Sequence, residues 1–353
     1  MDINKLSLEE KIGQKFMLGV NSSNIDLVVD MIKKYYIGGV ILYKNNYNNY
    51  MEMLSVIRRL KEANKDNKIP LFISIDQEGG RVNRLPREIN NLKNIYEVSK
   101  VSKNLVYDYG NITGKILSSI GVNMNFAPVL DMDDNESKVL YNRCFYGNID
   151  DISNCGIKYI DGLKNNNVIS VPKHFPGHGV SKFDSHFITP YIYNYKDVLD
   201  KHIIPFEKII NNGIDALMIN HLVIRKLTDG LPASISYNFI KNYIRDKYNY
   251  DGLIITDELN MLSRNPLYRL FYLKKALLSG SDILLIKIKD KFNLDKYINL
   301  IKNNDSYLKM IDDSVSRIIK IKNKYNVNDD CVNNEINIDE INREINRINE
   351  LCI

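Results

Sequence analysis

Eight short apolar runs are the feature of this sequence that most restricts its fold. They are rich in Val, Ile, Leu and Phe and contain few polar interruptions. Runs of this kind are typical of strands buried on both faces, as in a parallel sheet. In chain order the runs are Phe16–Val20, Gly38–Tyr43, Leu71–Asp76, Val122–Val129, Val168–His174, Ala216–His221, Gly252–Asp257 and Asp282–Ile286.

Amphipathic stretches with helical spacing separate these runs. They include Met51–Asn64, Leu105–Ile120, Asp151–Asn165, Asp197–Asn211 and Ser236–Tyr248. Strands alternating with helices over 353 residues predict an α/β fold, a (β/α)₈ TIM barrel in one domain. A doubly wound sheet is the competing fold, but it calls for a glycine-rich GxGxxG or P-loop turn, which the sequence lacks.

Polar side chains recur at the carboxyl ends of the predicted strands. A barrel gathers these ends around one mouth, where active sites of this fold are built. The pattern therefore favours the barrel and places a site at its mouth. The residues concerned are Asp76, Asp131, Lys173, His174, Asn220, His221 and Asp257.

The last part of the chain differs in composition from the rest. Residues 326–334 are polar and aperiodic, and Ile then recurs near helical spacing from Ile336 to Ile348. We expect a catalytic barrel over residues 1–325 and a linker and helix over residues 326–353. The helix should dock on the barrel or on another subunit.

Charge and targeting signals exclude several classes of function. The 48 basic and 43 acidic residues are interspersed and leave a net charge of +5, so nucleic-acid binding is not indicated. No signal peptide or membrane-spanning run is visible. The four cysteines form no CxxC pair, which fits reduced thiols and a cytoplasmic protein.

The densest candidate site is Lys173-His-Phe-Pro-Gly-His-Gly179 with Asp184-Ser-His186, which holds three of the five histidines. Pro176 and the glycines predict a loop after the fifth strand. Zinc binding by His174, His178 and His186 is one interpretation, but Pro176 and Gly177 prevent the helix that ligands at i and i+4 use. The favoured alternative is an Asp184–His186 dyad that makes the imidazole a proton donor, with no metal and no cofactor.

Two further strand ends carry acidic groups. After the third strand, Asp76-Gln-Glu-Gly-Gly-Arg-Val-Asn-Arg84 places acids and guanidinium groups beside a glycine turn. Asp76 suits bonding to vicinal sugar hydroxyls, whereas Glu78 could equally pair with Arg81 for structure. After the seventh strand, Asp257 and Glu258 follow one another, and we expect one of them to face the mouth. Lys173 could form a Schiff base, but hydrogen bonding to substrate suits its loop better.

At these residues the sequence resembles glycoside hydrolase family 3, in particular its single-domain bacterial β-N-acetylglucosaminidases. The resemblance covers roughly residues 5–325. Besides the site motifs above, Leu8-Glu-Glu-Lys-Ile-Gly-Gln-Lys-Phe-Met resembles the family's opening, and Asn125-Phe-Ala-Pro-Val-Leu-Asp131 resembles its fourth-strand motif. Pro205-Phe206, Asn220-His221, Pro232-Ala-Ser234 and Thr256-Asp257 follow in register. Val180, Tyr146 and Glu258 depart from the family's usual residues, which affects loop shape and subsite detail.

The resemblance implies a retaining exo-β-N-acetylglucosaminidase that uses a covalent glycosyl-aspartate intermediate. It implies that Asp257 is the nucleophile and that Asp184 and His186 are the acid/base dyad. It also implies that one group of residues holds N-acetylglucosamine at the −1 subsite, namely Asp76, Arg84, Arg143, Lys173 and His174.

The expected partner is a small carbohydrate, such as a peptidoglycan turnover fragment, with no nucleic acid or membrane involved. We expect a monomer or a weak homodimer. Two alternative functions stay open, a glycoside phosphorylase on the same scaffold and a non-catalytic sugar-binding barrel. Retention of Asp257, Asp184 and His186 together argues against the non-catalytic alternative.

Overall fold

The computed structural model describes residues 3–133, 139–181, 189–263, 265–288, 294–330 and 336–352. Each of the eight apolar runs contains a strand, and two short strands that the sequence did not predict lie between the fifth and seventh runs. The strands are β1 (Phe16–Val20), β2 (Gly39–Leu42), β3 (Phe72–Ile75), β4 (Met124–Asn125), β5 (Ile169–Ser170), β6 (Tyr191–Ile192), β7 (Ala216–Ile219), β8 (Val223–Ile224), β9 (Leu253–Thr256) and β10 (Leu284–Lys287).

The strands close into a parallel barrel. Six of them form one sheet in the order β10-β1-β2-β3-β4-β5, and β7 pairs with β9. A parallel bridge between Phe175 and Ile219 joins the end of β5 to β7, and a bridge between Ile255 and Ile283 joins β9 to the start of β10. These contacts complete a ring of eight strands, which confirms the predicted (β/α)₈ barrel. The short parallel pair β6 and β8 lies outside this ring.

Helices follow most of the barrel strands. They are α1 (Leu8–Gln14), α2 (Ile25–Tyr35), α3 (Tyr50–Asn64), α4 (Ile95–Val101), α5 (Lys103–Ser119), α6 (Ile149–Lys164), α7 (Tyr195–Asp197), α8 (Ile204–Asn211), α9 (Pro266–Leu277), α10 (Asp295–Ile301), α11 (Asp305–Lys324) and α12 (Ile338–Glu350). None of these described helices combines the length and the apolar character needed to cross a bilayer. The thiols of Cys144, Cys155 and Cys352 are free, and Cys331 lies outside the described residues.

Two predicted helices differ from a regular α-helix. The stretch predicted over Asp197–Asn211 divides into α7, a π-helical turn at Val198–His202, and α8. Pro205 lies in the first turn of α8, where its missing N–H and its ring prevent a continuous helix through this point. The stretch predicted over Ser236–Tyr248 contains a π-helix at Phe239–Asp246.

Alternation along the strands divides the apolar residues between two cores. In β1, Met17 faces the barrel interior, whereas Phe16 and Leu18 pack against the surrounding helices. The interior core ends on Ile318 and Ile321 of α11 and on Tyr325, which directly follows that helix. Helix α11 therefore closes the bottom of the barrel, and the mouth stays available for polar groups.

Lys322 and Asp282 join α11 to the amino-terminal ends of the strands. The buried Lys322 Nζ donates to Gln14 Oε1 at 2.8 Å, Gly38 O at 2.9 Å and Pro70 O at 2.5 Å. Asp282 is completely buried and pairs with Arg245 at 2.5 Å and with Arg317 of α11 at 2.9 Å. Burial alone would raise the pKa of Asp282, but the two guanidinium groups and Lys15 outweigh burial and lower that pKa.

We predict that Asp282→Asn destabilises the fold by about 3 kcal/mol, because two guanidinium groups lose their shared buried counter-charge. Urea unfolding at pH 7 measures this change in the free energy of unfolding. Asp251→Asn is the matched control, because the Asp251 side chain is exposed and pairs with Lys320 and Arg317 at the surface. A loss no larger than that of the control would contradict the role given to Asp282.

Candidate active site

A buried charge cluster joins the carboxyl ends of β3 and β5. Lys173 Nζ lies 2.7 Å from Asp76 Oδ1 and 2.6 Å from Glu78 Oε1. Arg143 reaches both oxygens of Glu78 through Nε and Nη2, each at 2.8 Å. Lys173 and Glu78 are only 3% and 6% exposed, so two cations and two carboxylates neutralise one another out of water.

The cluster fixes the charge of its members. Burial would raise the pKa of Glu78, but Arg143 and Lys173 hold it well below the ordinary value of a glutamate. Burial would lower the pKa of Lys173, but Asp76 and Glu78 raise it above the ordinary value of a lysine. Lys173 is thus an ammonium at neutral pH, which suits donation to a ligand oxygen and not Schiff-base chemistry.

Asp131 organises the loop after β5. Its Oδ2 accepts from the backbone N–H of His174 at 3.1 Å and lies 2.6 Å from His174 Nδ1. Its Oδ1 accepts from the backbone N–H of His178 at 2.6 Å. Burial would raise the pKa of Asp131, but these histidine contacts lower it, so the group is a carboxylate that only accepts. The proton therefore sits on His174 Nδ1, and Nε2 is left as the ring nitrogen that can meet a ligand.

Asp257 ends β9 in a rigid stretch of backbone. Its N–H donates to Ile219 O of β7 at 2.8 Å, and its Oδ1 accepts from the N–H of Glu258 at 2.7 Å. The carbonyl of Glu258 lies 3.0 Å from His221 Nε2, and a carbonyl only accepts, so Nε2 carries the proton. His221 Nδ1 then accepts from the Ser234 hydroxyl at 2.7 Å. The Asn220-His221 and Pro232-Ala-Ser234 motifs thus support the segment that carries Asp257.

Tyr43 connects the β3 groups with the β9 groups. This tyrosine directly follows β2, and burial raises the pKa of its phenol well above the ordinary value. The charges of Glu258, Asp76 and Asp257 raise that pKa further, and Arg84 lowers it. All four groups therefore lie within electrostatic reach of one hydroxyl. The carboxyl ends of β3 and β9 lie at the same mouth because the strands of the barrel are parallel.

Several sequence predictions can now be compared with the structure. Asp76, Lys173 and Arg143 meet in one cluster, and Arg84 and Asp257 lie near Tyr43. His174 Nδ1 contacts Asp131. Asp184 and His186 lie outside the described residues. Within the described ranges, the structure shows no group of three or more His, Cys, Asp or Glu side chains placed to hold a metal.

The structural pairing suggested for Glu78 was wrong. Glu78 binds Arg143 and Lys173, whereas the Arg81 guanidinium donates to the carbonyl of Val139. The two acids after β9 have different partners. Glu258 pairs with Lys287 of β10 at 2.5 Å, whereas Asp257 Oδ1 accepts from the N–H of Glu258.

Sequence reasoning missed Tyr43 and Lys287. Each stands at the carboxyl end of a barrel strand, so the strand-end rule that found Asp76 and Asp257 could have found them. Lys287 Nζ also lies 4.6 Å from the centre of the Tyr43 ring, which links β10 to β2 past the end of β1.

Comparisons with known proteins agree with this geometry. The family model described as the glycosyl hydrolase family 3 N terminal domain matches residues 7–321. A β-hexosaminidase of Nitrosospira multiformis is 32% identical over 262 residues, which cover 71% of this chain and 73% of that protein.

Two solved structures are similar to this chain. The glycoside hydrolase family 3 β-N-acetylglucosaminidase of Paenibacillus sp. str. FPU-7 superposes with a TM-score of 0.89 at 29% identity and covers 98% of this chain and 69% of its own. The β-N-acetylhexosaminidase of Beutenbergia cavernae has a TM-score of 0.79 at 20% identity and covers 90% of this chain and 99% of its own, which shows the shared fold.

We predict that Glu78→Gln lowers the free energy of unfolding by about 3 kcal/mol at pH 7, because Arg143 and Lys173 lose a shared carboxylate. The pKa of Glu78 is lowered by folding, so its contribution is complete above about pH 5 and declines as the pH falls below about 4. Urea unfolding at pH 7 and at pH 3.5 should therefore give a smaller difference from wild type in acid. Glu62→Gln at the surface is the control, and a difference that does not change with pH would contradict the assignment.

Proposed function

Because the chain belongs to glycosyl hydrolase family 3 and is a β-N-acetylhexosaminidase of that family, we propose that it is a retaining exo-β-N-acetylglucosaminidase. It removes terminal non-reducing N-acetylglucosamine from glycosides, with fragments of peptidoglycan turnover as the natural substrate class. The observation that carries this proposal is the barrel mouth, where Asp76, which pairs with Lys173, and Asp257 both lie within electrostatic reach of the Tyr43 hydroxyl.

Asp257 is the nucleophile in this proposal. It ends a fully buried strand, is partly exposed itself, and has its backbone held on both sides by Ile219 O and by the contact of His221 with Glu258. A retaining glycosidase needs a carboxylate held rigidly beside the anomeric carbon, because attack requires the reacting atoms to be aligned.

Asp184 and His186 form the acid/base dyad. The described residues on either side of them support this placement. Gly179 and Ser181 follow His178, whose N–H is held by Asp131, and Pro190 accepts from Val223 of β8, just after the end of β7. The described residues up to Ser181 and from Pro190 thus lie after β5 and beside β8, which follows β7 in the chain.

The proposed reaction has two steps. In the first, the Asp257 carboxylate attacks the anomeric carbon while the bond to the leaving oxygen breaks, and His186 gives that oxygen its proton. The products are the free aglycone and a glycosyl ester of Asp257. In the second, His186 takes a proton from water, the water oxygen attacks the anomeric carbon, and the ester bond breaks to release N-acetylglucosamine. Asp184 stabilises the imidazolium that donates in the first step and forms again in the second.

The −1 subsite in this proposal consists of Asp76, Arg84, Arg143, Lys173 and His174. The Asp76 carboxylate can accept from a sugar hydroxyl, and the Lys173 ammonium can donate to a neighbouring oxygen. Glu78 takes no direct part and keeps Arg143 and Lys173 in place. His174 Nε2 completes the polar wall at the end of β5.

We predict that Asp257→Ala lowers release of nitrophenol from nitrophenyl N-acetyl-β-glucosaminide by about 10⁴-fold or more, because no covalent intermediate can form. Asp251→Ala, which changes an exposed acid just before the same strand, should keep wild-type turnover. The wild-type chain should prefer the N-acetylglucosaminide to the matched glucoside and xyloside. Near-normal turnover by Asp257→Ala would exclude Asp257 as the nucleophile.

We predict that His186→Ala separates substrates by their leaving groups. Cleavage of an N-acetylglucosaminyl disaccharide, whose leaving alcohol needs a proton, should fall by about 10²- to 10⁴-fold. Release of nitrophenol, which leaves readily as an anion, should fall much less in the glycosylation step. Pre-steady-state measurement of that step on both substrates checks the prediction, and equal losses would argue against an acid role.

A further inference from the structure

Helix α12 lies beyond the residues matched by the family model, yet it contacts a segment that leads back to the active site. This segment, residues 88–93, follows the loop that carries Glu78 and Arg84, and we call it the strap. We propose that the asparagine face of α12 is a positioning element for the sugar subsite. The asparagine face holds the strap, and the strap in turn holds the turn that carries Glu78.

Asparagine side chains of α12 bind the strap backbone in pairs of hydrogen bonds. Asn342 accepts from Asn90 N–H at 2.7 Å and donates to Glu88 O at 2.9 Å. Asn349 accepts from Lys93 N–H at 2.8 Å and donates to Asn91 O at 3.0 Å. Each amide thus satisfies one donor and one acceptor of the strap, as a neighbouring strand would. Asn346 accepts from the Asn90 side chain at 3.0 Å between them.

A different face of α12 attaches the helix to the barrel. Ile341, Ile345 and Ile348 are buried in the main apolar core. Lys115 of α5 pairs with Glu344 at 2.7 Å and with Glu340 at 3.1 Å. Docking of the helix and holding of the strap therefore depend on different side chains, so they can be changed separately.

The strap packs directly against the Gly79-Gly80 turn. Gly80 donates its N–H to Leu92 O at 2.8 Å and accepts from the Asn91 side chain at 2.6 Å. Gly80 has a φ of 53°, and a Cβ there would lie 2.8 Å from Asn94 Cβ, so strap and turn leave no room between them.

The Tyr109 side chain also joins the strap to the turn that carries Glu78. Its hydroxyl lies 2.8 Å from Glu78 O and 3.0 Å from Lys93 O. The backbone of Glu78 and the end of the strap are therefore held by one buried side chain of α5. Loss of the α12 contacts at Lys93 and Asn90 leaves this junction supported from one side only.

Loss of the α12 contacts should affect sugar binding through Glu78. This step rests on the proposed function. The Glu78 carboxylate holds Arg143 and Lys173, which we assign to the −1 subsite. A looser turn should weaken binding of the sugar while leaving Asp257 on β9 undisturbed. The expected signature is a rise in KM without a matching fall in kcat.

The test compares two double variants of the full chain. Asn342→Ala/Asn349→Ala removes the paired contacts with the strap. Glu344→Ala/Arg347→Ala is the matched control, because it removes contacts of α12 with Lys115 and Asp108 and leaves the strap contacts in place. For each variant, KM and kcat with the nitrophenyl N-acetylglucosaminide, Tm, and amide hydrogen exchange over residues 76–94 are measured.

We expect the asparagine variant to raise KM about tenfold with kcat within about twofold. A tenfold rise corresponds to about the net free energy of one hydrogen bond, and this variant loses four. Hydrogen exchange over residues 76–94 should be faster in it, and the control should keep the wild-type KM and exchange. Asn349→Asp in place of Asn349→Ala in this variant keeps the acceptor for Lys93 N–H. It should reduce the rise in KM.

Three results would overturn the proposal. One is an unchanged KM in the asparagine variant, and another is an equal rise in KM in the control. The third is unchanged exchange over residues 76–84. A wild-type chain that does not cleave the N-acetylglucosaminide would instead contradict the proposed function. In that event the exchange comparison still decides whether α12 holds the Glu78 turn.

Discussion

The pairing of Lys173 with Asp76 and Glu78 is the interaction on which the site depends. Asp76 and Glu78 compensate the Lys173 ammonium, which is only 3% exposed, for the water it has lost. Both carboxylates come from the residues just after β3, and Lys173 comes from the end of β5. The pairing can therefore form only if the closed barrel brings these two strand ends together across β4. Arg143, which binds Glu78 from the loop after β4, completes the arrangement.

Rigid acceptors determine which protons the site can offer. Asp131 fixes the proton of His174 on Nδ1, and the Glu258 carbonyl fixes that of His221 on Nε2. In both cases an oxygen that can only accept selects the tautomer, so the choice does not depend on the ligand. In His174 the nitrogen that remains is Nε2, whereas both ring nitrogens of His221 contact the groups that support the Asp257 segment. The two histidines lie at equivalent strand ends but have different uses. The acceptor of His174 contacts Nδ1, whereas the acceptor of His221 contacts Nε2.

Local sequence was sufficient for the barrel and for most of the polar strand ends. The eight strands could be predicted because continuous β-branched and aliphatic runs are required wherever both faces of a strand are buried. The partners of Glu78 could not be predicted, since Arg81 is near in sequence whereas Arg143 and Lys173 approach only after the barrel closes. Tyr43 was missed because a tyrosine after an apolar run gives no charge signal. The contacts of Asn342 and Asn349 join positions about 250 residues apart. Because the chain is rich in asparagine, the sequence does not distinguish these two asparagines from the many others on the surface.

Stability and chemistry occupy opposite ends of the same strands. At the bottom, Asp282 pairs with Arg245 and with Arg317 of α11, and Lys322 of α11 donates to the backbone. At the mouth, Asp76 and Asp257 are paired or anchored yet partly exposed, so a ligand can reach them. Charged groups at the bottom can be fixed completely because nothing has to enter there. At the mouth, Glu78, Asp131 and His221 lie behind the partly exposed groups and hold them in place. The exposed groups therefore stay accessible. Helix α12 binds residues 88–93 behind the turn that carries Glu78, so the hydrogen-bonded support of this turn extends to the surface of the barrel.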